Sequence, residues 1–516
     1  MVESLVDEKG AIGTREQRPH HDSTRGERTS SSRPSWKPLL AAFLIAGLVL
    51  YARDTYYPGD IPLPSQESNA EHFQWRDLEA KSYLDYVPCM DNEHQCARLE
   101  LHMDDWNGTT DAKIGLAVIR KPAVVPITHP QYGGAILLNP GGPGGSGVGF
   151  LLRAGDLIRN SLEGYEHDEK YFDLISFDPR GVSNSQPSVQ CTIDRVFDQS
   201  LDLRIAEEGT FSSSDAVFGR MWSLVKAKSG LCSLPAKEPD VKQYVSTASV
   251  ARDMLELVER HGEWREKEAK RLLDFVQPCS SRASVATARE HDQTLERLKH
   301  RKDEEKINYI GYSYGTLLGN TFAAIYPDRI NRLMVDGVVD AYDYTKSLWL
   351  DNVVDAEKDM DLFYFHCARV GYPRCALANQ TGETTLEDVR TRTLGIIESL
   401  YHDPLVVLEP VPEVIMYSDV KALVAGALYS PIGSFPLMAD LLYALEQGDG
   451  TLLASLQPHK FNCFACSGIA YEDLGVSPDA TMAISCGVST PLSIRNCIEC
   501  YTDCVYAGRR RSNQCH

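Results

Sequence analysis

The chain has 516 residues, with 52 Lys+Arg against 72 Asp+Glu, a formal net charge of -20, 43% hydrophobic and 24% charged residues. Such a mixture excludes a wholly disordered chain, and the absence of a Gly/Pro period or sustained heptads excludes collagen and coiled coil. The acidic balance argues against sequence-independent nucleic-acid binding, which needs a basic footprint, and the length allows two or three domains or one large domain with an insertion.

Residues 1–37 are polar and rich in Ser and Arg, which predicts a disordered cytosolic tail. The segment Leu39–Ala52 (LLAAFLIAGLVLYA) carries no charge, with Arg25, Arg28, Arg33 and Lys37 before it and Arg53 and Asp54 after it. It is shorter than the roughly 20 apolar residues of a full span, and the long polar stretch before it does not suit a cleaved leader. A single signal-anchor over residues 38–52 is expected, with the tail in the cytosol and the remainder lumenal or extracellular. Residues 53–72 read as a linker.

From Phe73 the composition becomes globular. Four short apolar runs each end in a turn: Ala135–Leu138, Phe172–Phe177, Ile307–Ile310 and Leu333–Val335. Runs of this kind suit buried parallel strands. A helix is predicted over Ser249–Gly262, where Val250, Met254, Leu257 and Val258 share a face. Another is predicted from Thr316 to Tyr326, halted by Pro327. The alternation predicts a doubly wound α/β core over 73–340, interrupted by a charged, solvated insertion at 263–306. Residues 341–486 would form a helical cap and the rest of the core, and 487–516 a tail.

Two acceptor motifs for N-glycosylation, at Asn107 and Asn379, lie on the same side of the apolar segment. The pairs Cys89/Cys96 and Cys367/Cys375 are spaced for short disulfide loops, which fits an oxidising compartment. Cys463-x-x-Cys466 and Cys497-x-x-Cys500 have the spacing of a four-Cys zinc site, but disulfides or incidental thiols suit the compartment better. No metal and no cofactor are expected.

Gly311-Tyr-Ser313-Tyr-Gly315 matches G-x-S-x-G, with an apolar strand before it and a helix after it. In that setting the motif is a sharp turn that projects the Ser313 hydroxyl, with Gly311 and Gly315 avoiding Cβ clashes. Ser313 is therefore the candidate nucleophile, and the N–H of Tyr314 a candidate oxyanion donor. The loop Asn139-Pro-Gly-Gly-Pro-Gly-Gly-Ser146 would turn further N–H groups toward a developing oxyanion. It lacks the Gly-Lys-Ser/Thr of a phosphate loop and the frame of a dinucleotide site.

These segments together, NPGGPGGSG, FDLISFDPRGVSNS and INYIGYSYGTLLGNTFAAIYPDRINRLMVDGVVD, resemble the tripeptidyl/prolyl aminopeptidase branch of the α/β-hydrolases over roughly residues 75–487. The resemblance implies an α/β-hydrolase fold and serine exopeptidase chemistry on short peptides with free N-termini. It implies Ser313 as nucleophile, Gly142 and Tyr314 as oxyanion donors, and Asp178, Arg180 and Asp336 as structural members around the site.

A serine needs a histidine to take its proton and a carboxylate to hold that histidine, and in this fold both follow the serine in the chain. Members of the branch continue past the stretch matching Ala483–Gly487 with strands carrying an Asp and a Gly-His; this chain reads Val488-Ser-Thr-Pro. The triad acid and base are thus unassigned, and the last core strands are expected to be missing. Of the later histidines, His366 suits a cap helix, His402 a loop and His459 an exposed site, while Asp503 and His516 have the right order but no strand to deliver them. The alternatives left open are a small-acyl esterase and a catalytically impaired membrane-anchored homologue.

Overall fold

The computed structural model describes residues 73–90, 93–162, 170–192, 195–234, 240–275, 285–346, 349–409, 412–456 and 477–488. The tail, the apolar segment at 38–52, the linker, residues 489–516, and His459, Asp503, His516 and both Cys-x-x-Cys pairs lie outside the described residues. Among the described residues no helix is long and apolar enough to cross a membrane.

A seven-stranded sheet organises the chain, in the order β1-β2-β3-β5-β4-β6-β7. Its strands are β1 (Val87–Cys89), β2 (His94–His102), β3 (Lys113–Lys121), β4 (Tyr132–Asn139), β5 (Tyr171–Phe177), β6 (Ile307–Tyr312) and β7 (Ile330–Asp336). β1, β2, β3 and β5 pair antiparallel in succession, whereas β5, β4, β6 and β7 pair parallel. Five of the seven strands consequently run the same way. All four predicted strands are present.

In β4, β5 and β6 the apolar runs are continuous because both faces of the sheet are covered there, whereas β7, expected to be a buried strand, has no buried residue. Leu137, Ile175 and Tyr309 face one core, packed on Met254, Leu318 and Phe322. Their neighbours Leu138, Leu174 and Ile310 face the other, packed on Val148 and Leu151. The side-chain period of two thus feeds two cores from each strand. Helix α1 (Gly147–Leu162) covers the second face. The other face carries α4 (Thr247–Phe275) and α6 (Tyr314–Ile325); α2 (Arg195–Glu208), α3 (Val217–Cys232) and α5 (Val285–Leu298) complete this part of the chain.

Helix α4 runs past the predicted stop at Gly262. That glycine is a packing residue, since a Cβ there would stand 2.8 Å from Glu305 Cδ and 2.8 Å from His300 Cδ2. The extra turns are laced by Arg260–Glu263, Lys270–Glu266 and Arg271–Glu268 pairs. The charged insertion at 263–306 is exposed or half-buried at nearly all of its described residues, with a small exception. Ala269 and Leu298 are buried and form a small core with Ile127 and Tyr132.

After β7 a short helix, α7 (Ala341–Thr345), leads to a helical unit with its own core. It comprises α8 (Ala356–Val370), α9 (Leu386–His402), α10 (Tyr417–Ala427), α11 (Pro431–Glu446), α12 (Thr451–Ser455) and a hairpin of β8 (Leu405–Val407) with β9 (Glu413–Ile415). His402 is the last residue of α9 and not a loop residue; the Thr385/Asp388 capping box starts that helix, and the Asp403 N–H donates to the Ser399 carbonyl at its end. The final described helix, α13 (Pro478–Val488), returns to the sheet core through Ala480 and Ile484.

The two predicted disulfide pairs, Cys89–Cys96 and Cys367–Cys375, are bonded. A third bond, Cys191–Cys232, closes a separation of 41 residues that no local spacing signals. Asn107 and Asn379 are both exposed. Among the described residues β7 is one edge of the sheet, with Met334 51% exposed.

Candidate active site

Ser313 stands between the end of β6 and the first turn of α6, with φ 53° and ψ -126°. A non-glycine residue rarely adopts positive φ, and such strain persists only where surrounding contacts hold it. Here the Ser313 N–H donates to the Asp336 carbonyl (3.1 Å), while the Ser313 carbonyl accepts from the N–H (2.8 Å) and the hydroxyl (2.7 Å) of Thr316. The Tyr309 hydroxyl donates to the Gly315 carbonyl at 2.8 Å. A Cβ on Gly311 would lie 2.5 Å from that same carbonyl oxygen, so the turn closes only around glycine. The result leaves the Ser313 side chain exposed at the carboxyl end of β6.

The Gly-rich loop presses on this turn from β4. A Cβ on Gly141 would meet the Tyr312 carbonyl oxygen at 2.4 Å and the Tyr314 nitrogen at 2.8 Å. Gly141, not singled out from the sequence, is therefore the point of contact. Its own N–H donates to Asn139 Oδ1 at 2.9 Å. Gly142 follows it, at φ 119°. Tyr314 is buried, its hydroxyl 2.6 Å from Thr247 Oγ1, and burial raises its pKa.

Asp178 anchors the far side of the loop. Its Oδ1 accepts from Ser146 Oγ (2.7 Å) and the Val148 N–H (3.0 Å). Its Oδ2 accepts from the N–H (3.0 Å) and side-chain amide (2.9 Å) of Asn184. Burial raises the Asp178 pKa, against the pull of these donors. Arg180 forms a buried pair with Asp253 (2.5 Å) and donates to the Met103 carbonyl (2.7 Å), pinning the Asp178–Arg180 segment to α4. Helix α13 covers the loop from outside. Thr481 Oγ1 donates to the Pro143 carbonyl (2.6 Å), and the Ser477 N–H to the Gly144 carbonyl (2.9 Å).

The structure brings together Ser313, Tyr314, the Gly311/Gly315 pair, the Gly-rich loop and Asp336. It does not bring a described histidine to the serine. His366 and His402 are exposed on α8 and α9, and among the described residues no histidine is hydrogen bonded to Ser313.

A strand, a strained serine and a helix beneath a glycine loop, on a sheet covered on both faces, define the α/β-hydrolase fold. The protein has that fold, and the family model for it matches residues 134–369. Among curated proteins, the serine protease Hip1 of Mycobacterium tuberculosis is 27% identical over 265 residues, which is 50% of this chain and 40% of Hip1. The tripeptidyl aminopeptidase of Streptomyces lividans is 30% identical over 214 residues, 41% of this chain and 30% of that enzyme. Carboxylesterase B of Mycobacterium tuberculosis is 41% identical over 105 residues, 20% of this chain and 18% of that protein. The matched stretch thus spans less than half the length of each of these relatives. The protein resembles the peptidase branch of the α/β-hydrolases, as its motifs imply.

Proposed function

We propose that the protein is a serine hydrolase that cleaves short peptides from their N-termini through an acyl-enzyme on Ser313. One observation carries this reading: an exposed serine held at φ 53° between a parallel strand and a helix. Such strain has no packing purpose at an exposed side chain, and it aims a hydroxyl at a substrate.

In the proposed cycle Ser313 Oγ attacks the scissile carbonyl carbon, and its proton passes to a histidine base. The Gly142 and Tyr314 N–H groups stabilise the oxyanion. The C–N bond then breaks, the amine leaves with the proton, and water releases the acyl group. The contact of Gly141 with the Tyr314 nitrogen supports placing these donors side by side. The Hip1 and tripeptidyl aminopeptidase relatives favour peptides, while the carboxylesterase relative keeps small acyl esters as a second substrate class.

Among the described residues no strand pairs with β7 on its outer side and no histidine is hydrogen bonded to Ser313, which favours a second reading, a homologue in which the sheet delivers no base to Ser313. A fluorophosphonate probe separates the two. Adduct mapped to Ser313, and lost in Ser313→Ala, is the expected result; folded protein that takes no label would establish the inert reading. We also propose that the hydrolase unit lies on the non-cytosolic side of a membrane anchored at residues 38–52. The three disulfides and the exposed Asn107 and Asn379 support that placement.

A further inference from the structure

The backbone of β7 dictates what can dock on its outer side. The pairing with β6 is unbroken from Asn308–Arg332 to Tyr312–Asp336. At its end the Asp336 carbonyl points toward β6 and accepts from the Ser313 N–H at 3.1 Å. Successive strand residues turn their N–H and C=O groups to opposite sides. Arg332, Met334 and Asp336 therefore direct theirs at β6, while Leu333 and Val335 direct theirs outward. Among the described residues no strand takes up those outward groups.

The side chains add a pattern to this edge. Arg332, Met334 and Asp336 share one face and are all exposed. Leu333 and Val335 are half-buried on the other face, where Leu333 packs against the sheet core. Among the described residues neither the Arg332 guanidinium nor the Asp336 carboxylate has an ion-pair or hydrogen-bond partner. Charges on an edge strand commonly block edge-to-edge pairing. Here the two are opposite in sign and equally spaced about Met334, which makes the edge complementary to a copy of itself.

We propose that β7 docks a second copy of this chain, edge to edge and antiparallel, about a two-fold axis at Met334. In this register Arg332 faces the partner's Asp336, Asp336 faces the partner's Arg332, and the two Met334 side chains meet at the axis. These are non-hydrogen-bonded pairs, the ones in which facing side chains lie closest, with Cα atoms about 4.5 Å apart. Leu333 and the partner's Val335 form the hydrogen-bonded pairs between them, exchanging their outward N–H and C=O groups.

Other registers fail on the same grounds. An axis at Leu333 or Val335 sets a charge against Met334, and one at Arg332 or Asp336 sets like charges against each other. An axis between two residues sets outward groups against inward ones, so no ladder forms. Because the contact uses the same patch on both copies, it closes as a dimer and does not propagate.

Sedimentation of the full-length protein in a mild detergent tests this, with wild type expected as a dimer. Arg332→Asp and Asp336→Arg each place like charges across the seam and sediment as monomers. Mixed together they form a heterodimer, because both charge pairs are then restored. Met334→Cys crosslinks two chains on mild oxidation beyond the wild-type background, whereas Asn331→Cys, equally exposed but off the axis, does not. The cysteine pair decides the matter should either charge reversal fail to fold. A monomeric wild type would overturn the proposal, and is the result if residues 489–516 of the same chain occupy the edge. A dimer indifferent to both reversals, folded variants that stay apart when mixed, or equal crosslinking at positions 331 and 334 would overturn it too. No readout depends on catalysis, so the proposal stands or falls separately from the activity at Ser313.

Discussion

At the residue scale, Ser313 and His261 depart from ordinary behaviour for opposite reasons. Ser313 carries backbone strain yet is exposed, while His261 is relaxed but buried without a polar partner. The imidazole pKa is pushed down to about 3 by burial. Asp173 opposes that shift, and the Arg120 and Arg265 cations reinforce it. The folded pKa lies below the unfolded value near 6.5, so the neutral ring's contribution is complete above that value. It is lost as pH falls from there toward 3. Between pH 7 and pH 5 this one group removes about 2 kcal/mol of stability. Urea unfolding of wild type and His261→Phe at both pH values checks this. The variant should lose less stability on acidification, and parallel losses would contradict it.

At the element scale, the site depends on how α1 begins. Four glycines in the loop after β4 give the chain little rigidity of its own. Asp178, on the neighbouring strand's exit, supplies it by capping the first turn of α1 and binding Ser146. Four donors point at this one carboxylate, so an amide in its place turns an NH2 group toward other donors. Asp178→Asn should cost about 2–4 kcal/mol, the range for a broken buried network with an unsatisfied donor. Chemical denaturation measures it, and a loss under 0.5 kcal/mol would refute the anchoring role. Motifs at this scale were readable in advance, since the strand–loop and strand–elbow patterns each lie within a dozen consecutive residues. The extension of α4 was not. Gly262 looks like a stop until Glu305 and His300 are seen against it.

At the scale of the whole molecule, distant segments converge on the glycine loop. Cys191, after β5, is bonded to Cys232 at the end of α3, and its N–H donates to Asp479 at 2.8 Å. Lys228 on α3 reaches Asp479 at 3.2 Å and Asp202 at 2.7 Å. Through α13 this cluster bears on Pro143 and Gly144. Closing a loop with a sequence separation of 41 stabilises by about 3–4 kcal/mol in the chain-entropy account. Replacing Cys191 and Cys232 together by Ala should therefore lower the melting temperature and slow fluorophosphonate labelling of Ser313. An unchanged melting temperature would show the bond to be unimportant. Blocking free thiols before reduction should leave these two cysteines unlabelled in the native protein.

The sequence alone determined what is local. It marked four strands of the sheet, three of them buried, the elbow around Ser313, the glycine loop and two short-range disulfides, because period, turn chemistry and spacing are written within a few neighbouring residues. Only the tertiary structure decided which glycine touches the elbow, what Asp178 holds, where Cys191 finds its partner and that His261 is buried without a polar partner. Those facts join residues tens to hundreds of positions apart, and chain folding, not local propensity, sets such distances.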